Sequence, residues 1–310
     1  MSDKPLISVV VLTYNSARYV EATLDSIYRQ TYDGAIELII GDDCSTDDTV
    51  SVCKKWLSRN NNRFVHSEII RPSENQGVVR NINTCYKACS GEWVKDIAGD
   101  DILLPHALDT LYHEAISHKV SFVYSALRTF SNHDDLSKTE QLKYVAGGPC
   151  DKYVDLEYVY KKPSFWLNAP TFLVSAKLLK KIDYVPELFR NIEDRPLFAK
   201  ALAAGYKIWH SSEATVLYRI HGESITATIE SRRYAECNWL TYKIILRPCF
   251  HFFQAIDVDL RMLPLWQLSK QGKKDFVYRI FRLLTQILWL VYRLLTFALT
   301  LRPTKLKPKR

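Results

Sequence analysis

The sequence predicts an α/β protein: a mostly parallel central sheet flanked by helices, with an amphipathic helical extension at the C-terminus. Three observations predict it. Short apolar, β-branched runs alternate with segments of helical period from Ile7 to Phe130, which implies right-handed crossovers and a sheet covered on both faces. A polar cluster follows each of the first four apolar runs. The chain beyond Lys270 is helical in period and strongly basic.

Ile7–Leu12 reads as the first strand, and Ala17–Arg29, with Tyr19, Val20, Leu24 and Ile27 at helical spacing, as the first helix. Ile36–Ile40 is the second strand and Asp47–Ser58 the second helix, opened by acidic residues and capped by Asp47. Phe64–Ile70, Gly77–Ala88 and Trp93–Ala98 follow as strand, helix and strand. Pro105 sits near the start of a further helix ending about Ser117, before the strand-like VSFVYSALRTF. Ser131 to Lys162 is polar and irregular. Neither GxGxxG nor GxxxxGK[ST] occurs, which disfavours a dinucleotide-dependent dehydrogenase and a P-loop enzyme.

At 310 residues the chain holds one large core, or one domain with an appendage. Seven cysteines without a CxxC pair read as reduced thiols of a cytosolic protein. The opening MSDKPLISVVVLTYN lacks a basic region before a long apolar run, so it reads as a first strand and not as a signal peptide. The formal charge of +8 is uneven: from Lys270 onward eleven Lys or Arg face one acid, Asp275, which leaves −2 on the first 269 residues. A basic tail on a slightly acidic body argues against nucleic acid as the partner of the main domain.

Sheets of this kind bind ligands beyond the carboxyl ends of their strands, and there TYN, DDCSTDD, RPSENQG and GDD fall. Any one of these clusters is explained as a solvated turn; four at corresponding strand ends are harder to explain that way. A nucleotide base needs an aromatic face and an edge-reading carboxylate, which Tyr14 and the pair Asp42-Asp43 can supply. Tyr14 serves equally as a lid on the first helix. A diphosphate needs neutralisation, and Asp100 and Asp101, with His221, form an oxygen-rich set suited to Mn²⁺ or Mg²⁺. Beside a dication, adjacent carboxylates cease to be an electrostatic liability. Arg80 is either a bidentate phosphate contact or a surface arginine of its helix.

The runs ISVVVLTYN, YVEATLDSIYRQTY, IELIIGDDCSTDDT and RPSENQGVVRNINTCYKACSGEWVKDIAGDD together resemble the nucleotide-sugar-binding half of a family 2 glycosyltransferase. Sparser likeness follows in NIEDRPLFAKALAAGYKI and LYRIHGESIT. The resemblance implies the Rossmann-like GT-A fold over residues 1–230, with residues 1–110 holding the donor and 111–230 the acceptor and catalytic base. Residues 231–310 would be a helical C-terminal region. It further implies that Tyr14 stacks on uracil, that Thr13 and Asn15 line the pocket, and that Asp43 bonds the base with Asp42 beside it. Arg80 would face base or phosphate. Asp100 matches the last carboxylate of the family's DxD metal motif, Asp101 follows it, and His221 resembles a late contact to metal or diphosphate. Asp194, with its neighbour Glu193, would be the catalytic base, at the start of a helix whose positive end favours a carboxylate. Three positions depart from the pattern: Leu12 where Pro is frequent, Cys44 where Gly or Asn is usual, and Ala98 at the first carboxylate of DxD.

The activity implied is inverting, metal-dependent transfer of a hexose from a UDP-sugar, in bacterial O-antigen or capsular polysaccharide synthesis. Two alternatives stand beside it: a sugar nucleotidyltransferase, which would need a basic cluster for a triphosphate, and a non-catalytic membrane-associated nucleotide-sugar-binding scaffold. Trp166 reads as a sugar-stacking or a core residue. In Phe276–Leu301, Arg279, Arg282, Arg293 and Gln286 fall within about 60° of one another on a helix, with apolar residues elsewhere. Residues 270–310 therefore read as a tail lying peripherally on the cytoplasmic face of the inner membrane, near a lipid-linked saccharide acceptor. The other reading is a helix packed on the catalytic domain or on a homodimer partner.

Overall fold

The computed structural model describes residues 3–131, 136–163, 165, 167–190, 192–222, 231–271 and 276–298. Trp166 and the chain after Ala298 lie outside them. The first half follows the predicted alternation: β1 (Ile7–Thr13), α1 (Val20–Tyr28), β2 (Ile36–Asp42), α2 (Thr49–Asn60), β3 (His66–Ile70), α3 (Val78–Ala88) and β4 (Trp93–Ala98). Then come β5 (Ile102–Leu103), α4 (Ala107–Ser117), β6 (Phe122–Phe130), β7 (Lys143–Val145), β8 (Lys152–Val154) and α5 (Leu156–Lys161). The chain continues through β9 (Phe172–Ser175), α6 (Ala176–Lys181), α7 (Asp194–Ala203) and β10 (Ile208–Arg219) to α8 (Ser231–Thr241), α9 (Phe252–Gln271) and α10 (Phe276–Ala298).

The sheet runs in the order β3-β2-β1-β4-β9-β6-β10-β5. From β3 to β4 every pairing is parallel, whereas β9 lies antiparallel between β4 and β6. β10 returns parallel to β6. Thus β1, β2, β4, β6 and β10 all point the same way. Their apolar residues are sealed on both faces: Val9, Val10 and Val11 of β1 and Leu38, Ile39 and Ile40 of β2 are fully buried, as crossover helices require.

Local chemistry moves several boundaries. α1 begins at Val20 because the preceding residues form a turn, in which the N–H groups of Tyr19 and Val20 donate to Ser16 O. Asp47 takes the N–H and hydroxyl of Thr49 on one carboxylate oxygen and the N–H of Ala17 on the other. It caps the first turn of α2 from two residues ahead and ties it to the loop before α1. β3 starts two residues after Phe64, once a 3₁₀ turn at Asn61–Arg63 has ended.

The chain divides into two compact units. The first comprises Met1–Tyr153, Leu167–Leu197 and Lys207–His221 and holds the sheet. The second comprises Val154–Trp166, Phe198–Tyr206 and Gly222–Arg310. In the second, α9 packs against both α8 and α10.

Candidate active site

β1 enters the sheet between β2 and β4, and its last residues are in register with Asp42 on one side and Ala98 on the other. Tyr14-Asn15, Asp43 and Gly99-Asp100 therefore leave the same sheet edge side by side. The turn at Gly99 is held by its N–H donating to Leu12 O at 2.8 Å. A side chain there would meet Thr13 Cγ2 at 2.8 Å, so only glycine allows the approach.

Asp42 is 1% exposed. It accepts the Thr13 hydroxyl at 3.0 Å, the Ser45 N–H at 2.9 Å and the Ser45 hydroxyl at 2.5 Å, and Arg71 Nε lies 3.3 Å away. Asp43 accepts the N–H groups of Gln76 at 2.7 Å and Gly77 at 2.8 Å, one on each oxygen. The pair thus fastens the loop before α3 to the end of β2. Between them and Ser45, Cys44 has φ +62°, which explains the family preference for Gly or Asn there. Asn15, also left-handed at φ 51°, accepts the Thr46 N–H at 2.8 Å, joining the first cluster to the second. Tyr14 is half exposed beside them.

Asp100 and His221 are brought together across the sheet edge: the imidazole Nε2 lies 2.8 Å from Asp100 Oδ2. Tyr19 flanks the imidazole, ring centroids 4.9 Å apart. Asp101, expected beside Asp100 as a metal contact, turns elsewhere. Its Oδ1 accepts the Arg219 N–H at 2.8 Å, its backbone carbonyl accepts the Thr23 hydroxyl, and its Oδ2 is buried without a partner. Burial, and then the charge of Asp100, push this carboxyl well above its ordinary range.

Arg80 is exposed, and its Nε donates to Glu187 at 2.9 Å. Further along α3, Asn83 donates to Val185 O and accepts the Val185 N–H, and Val79 N–H donates to Arg190 O. α3 thereby holds the segment that leads into Glu193 and Asp194. Asp194 is the first residue of α7, and the Arg195 N–H donates to it. Burial raises the Asp194 carboxyl, opposed by Arg195. Burial and the charge of Asp194 push Glu193 up to about 8.

Three groups went unread in the sequence. Lys95 and Asp96 are buried within β4; the Lys95 ammonium donates to the carbonyls of Asp96 and Pro170, and burial lowers it to about 8. Tyr86 donates to Asp96 at 3.1 Å. Two opposite charges inside the otherwise apolar WVKDIA were the available signal. Arg219, which sends Nε to Asp100 O at 2.7 Å and lies over Tyr19 and Phe130, had none, because the groups it touches are far from it in the sequence.

Among the described residues no set of three His, Cys, Asp or Glu side chains gathers as a metal cage. The donors present nevertheless fit a dication that shares its coordination with phosphates. A carboxylate oxygen and an imidazole nitrogen converge, and the His221 Nδ1 is buried with nothing to bond, so the ring lacks half its partners.

Carboxylates from several strand ends thus line one edge of the sheet. The model of "Glycosyl transferase family 2" matches residues 8–181, more than half the chain, and the protein belongs to that family. It is 27% identical over 286 residues to the glycosyltransferase GlyG of Streptococcus pneumoniae, covering 88% of this chain and 89% of that one. It is 26% identical over 227 residues to WfaP of Escherichia coli, a UDP-Glc:α-D-GlcNAc-diphosphoundecaprenol β-1,3-glucosyltransferase, covering 72% and 80%. Among solved structures, S. aureus TarS 1-349 in complex with UDP-GlcNAc superposes with TM-score 0.65 at 19% identity, over 92% of this chain and 81% of that one. That likeness establishes the shared fold.

Proposed function

We propose that this glycosyltransferase moves a hexose from a UDP-sugar to a hydroxyl of a polyprenyl-diphosphate-linked saccharide, with inversion to a β-linkage, in O-antigen or capsule synthesis. The observation that carries the reading is the meeting of Asp100 and His221 at 2.8 Å on the sheet edge where Tyr14, Asp42 and Asp43 also emerge. The printed activity of WfaP supports the donor and acceptor classes, and the UDP-GlcNAc bound to TarS supports the nucleotide.

In this reading Tyr14 offers its ring to the base, Thr13 and Asn15 line the pocket, Asp43 and Asp42 form its wall, and Arg80 faces base or phosphate. Asp100 and His221 would hold Mn²⁺ or Mg²⁺, with Asp101 behind them; when bound, the ion offsets the charge left on the departing diphosphate. Asp194 takes the proton of the acceptor hydroxyl as that oxygen attacks the anomeric carbon. Burial and the charge of Asp194 push the Glu193 carboxyl up, which favours its protonated form beside Asp194. One base and one displacement invert the anomeric centre, so a UDP-α-sugar gives a β-product. A lipid-linked acceptor sets the reaction at the cytoplasmic face of the inner membrane, with the protein peripheral to it.

The test is a panel of nucleotide sugars and nucleoside triphosphates, with and without Mn²⁺, scored by melting temperature and by hydrolysis. Stabilisation by UDP-sugars that depends on metal supports the reading. A response to triphosphates alone favours a nucleotidyltransferase, and binding without turnover favours a scaffold. Asp194→Asn is expected to keep donor binding and to lose transfer by about 10²–10⁴-fold.

A further inference from the structure

We propose that α9 and α10 form a two-helix platform that rests on an anionic lipid surface. The proposal supplies the contact that the membrane-side reading above calls for, and it stands on the surface of the second unit alone.

α10 has three sectors. At 100° per residue, Tyr278, Phe281, Thr285, Trp289 and Tyr292 fall within about 80° of one another, and these side chains are buried or half-buried. Trp289 Nε1 donates to Asp257 at 2.9 Å and the Tyr292 hydroxyl to Phe253 O at 2.6 Å, fastening the helix along α9. Beside this contact edge run the exposed Arg279, Arg282, Gln286 and Arg293. The remaining arc of about 160° carries ten exposed apolar side chains, among them Phe276, Ile280, Leu284, Ile287, Leu288 and Val291.

The arginines rim only one side of the apolar arc. On the other side it runs into the α9 contact with no polar residue between. There, next to Tyr292, stand Phe252 and Phe253, 73% and 49% exposed, their rings 5.4 Å apart. The bare surface therefore spans two helices, which a scatter of single exposed side chains does not.

Charge selects the occupant. α10 has three arginines and no acid, and the neighbouring acids of α9 are committed: Asp257 to Arg261 and Trp289, Asp259 to Arg247 and Tyr242. A second copy docked on this face would meet arginines without a carboxylate from α10 to pair them. Lipid phosphates supply the missing charge, and the sequence on either side of α10 adds eight further Lys or Arg from Lys270 onward. Spanning is not the mode, since the polar stripe runs along the helix and no helix among the described residues is long and apolar enough to cross a membrane. The helix lies flat, apolar arc in the acyl boundary and arginines at the headgroups.

Vesicle flotation of the full chain tests this, with phosphatidylcholine alone against phosphatidylcholine mixed with phosphatidylglycerol. The wild type is expected to float with the anionic vesicles, and less so at high salt. Phe252→Ser/Phe253→Ser and Leu284→Gln/Leu288→Gln should each weaken flotation by about tenfold or more, while UDP-sugar still stabilises both variants against heat. Flotation unchanged in both variants overturns the platform. A wild type that ignores vesicles and sediments as a dimer, falling to monomer in those variants, overturns it in favour of a second copy. Failure of donor stabilisation in the wild type counts against the UDP-sugar reading and leaves the platform standing on flotation.

Discussion

The Arg219 N–H donates to Asp101 Oδ1 at 2.8 Å, and the Arg219 Nε donates to the carbonyl of Asp100 at 2.7 Å. Two bonds, both donated by Arg219, lock the end of β10 to the turn after β4. Asp100 and His221 meet because the residues next to them are clamped.

A clamp and a ligand predict different outcomes at Asp101. Asparagine still offers an oxygen to the Arg219 N–H, so Asp101→Asn is expected to keep metal-dependent stabilisation by UDP. Asp101→Ala orphans a buried N–H, costs about 1–3 kcal/mol and should lose most of that stabilisation. Melting curves with and without UDP and Mn²⁺, backed by direct Mn²⁺ titration, check it. Equal loss in both variants would make Asp101 a ligand.

Glu193 gives the protein a pH slope. Its folded value of about 8 lies above the ordinary 4.5, so the folded state binds more protons between the two. The stability contributed is whole below pH 4.5 and drains away as pH rises through 8. Glu193→Gln carries no proton to lose and should flatten that slope, gaining ~1 kcal/mol or more over wild type at pH 8. Chemical denaturation at a series of pH values reads it out. A slope identical to wild type would place the titration elsewhere.

Cys44 carries backbone strain at φ +62°, and its thiol reaches only Ser73 O at 3.6 Å. Cys44→Gly is expected to raise the unfolding free energy by roughly 0.5–1 kcal/mol, strain relief outweighing the added freedom of the unfolded chain. Urea midpoints compare the two, and a lower midpoint would show that the thiol contact matters more.

Gly99→Ala places a methyl 2.8 Å from Thr13 Cγ2 and 3.2 Å from Leu12 O. One neighbour is backbone, so β1 and the turn must separate, at a cost of about 1–3 kcal/mol. Both sides of the crevice proposed for the donor should move, and the UDP-induced rise in melting temperature should shrink more than stability alone explains.

The legible part of the fold is the part built from parallel strands. β1, β2 and β4 are covered on both faces and read as largely apolar runs, and Thr13, Asp42 and Asp100 could be placed because each stands at or just past the end of such a run. Beyond β6 the signal fades. β7, β8 and β9 have three or four residues each, and β10 buries His210, Ser211 and Thr215 around a bulge, so its alternation does not look like a strand. Of the site, the carboxylates were visible as residue types. Their division of labour was not: Asp42 spends both oxygens on neighbouring loops and Asp101 gives Oδ1 to the Arg219 backbone, a distinction set by contacts that include distant segments.

The ladder at β1 constrains how this enzyme can change over time. A single inserted residue there would reverse which face every following side chain occupies and would pull the first polar cluster out of line with the other three at once. Novelty at the donor end must therefore come by substitution. The helices after His221 follow once the chain has left that ladder, so lengthening, trimming or exchange of segments there leaves the register of β1 untouched.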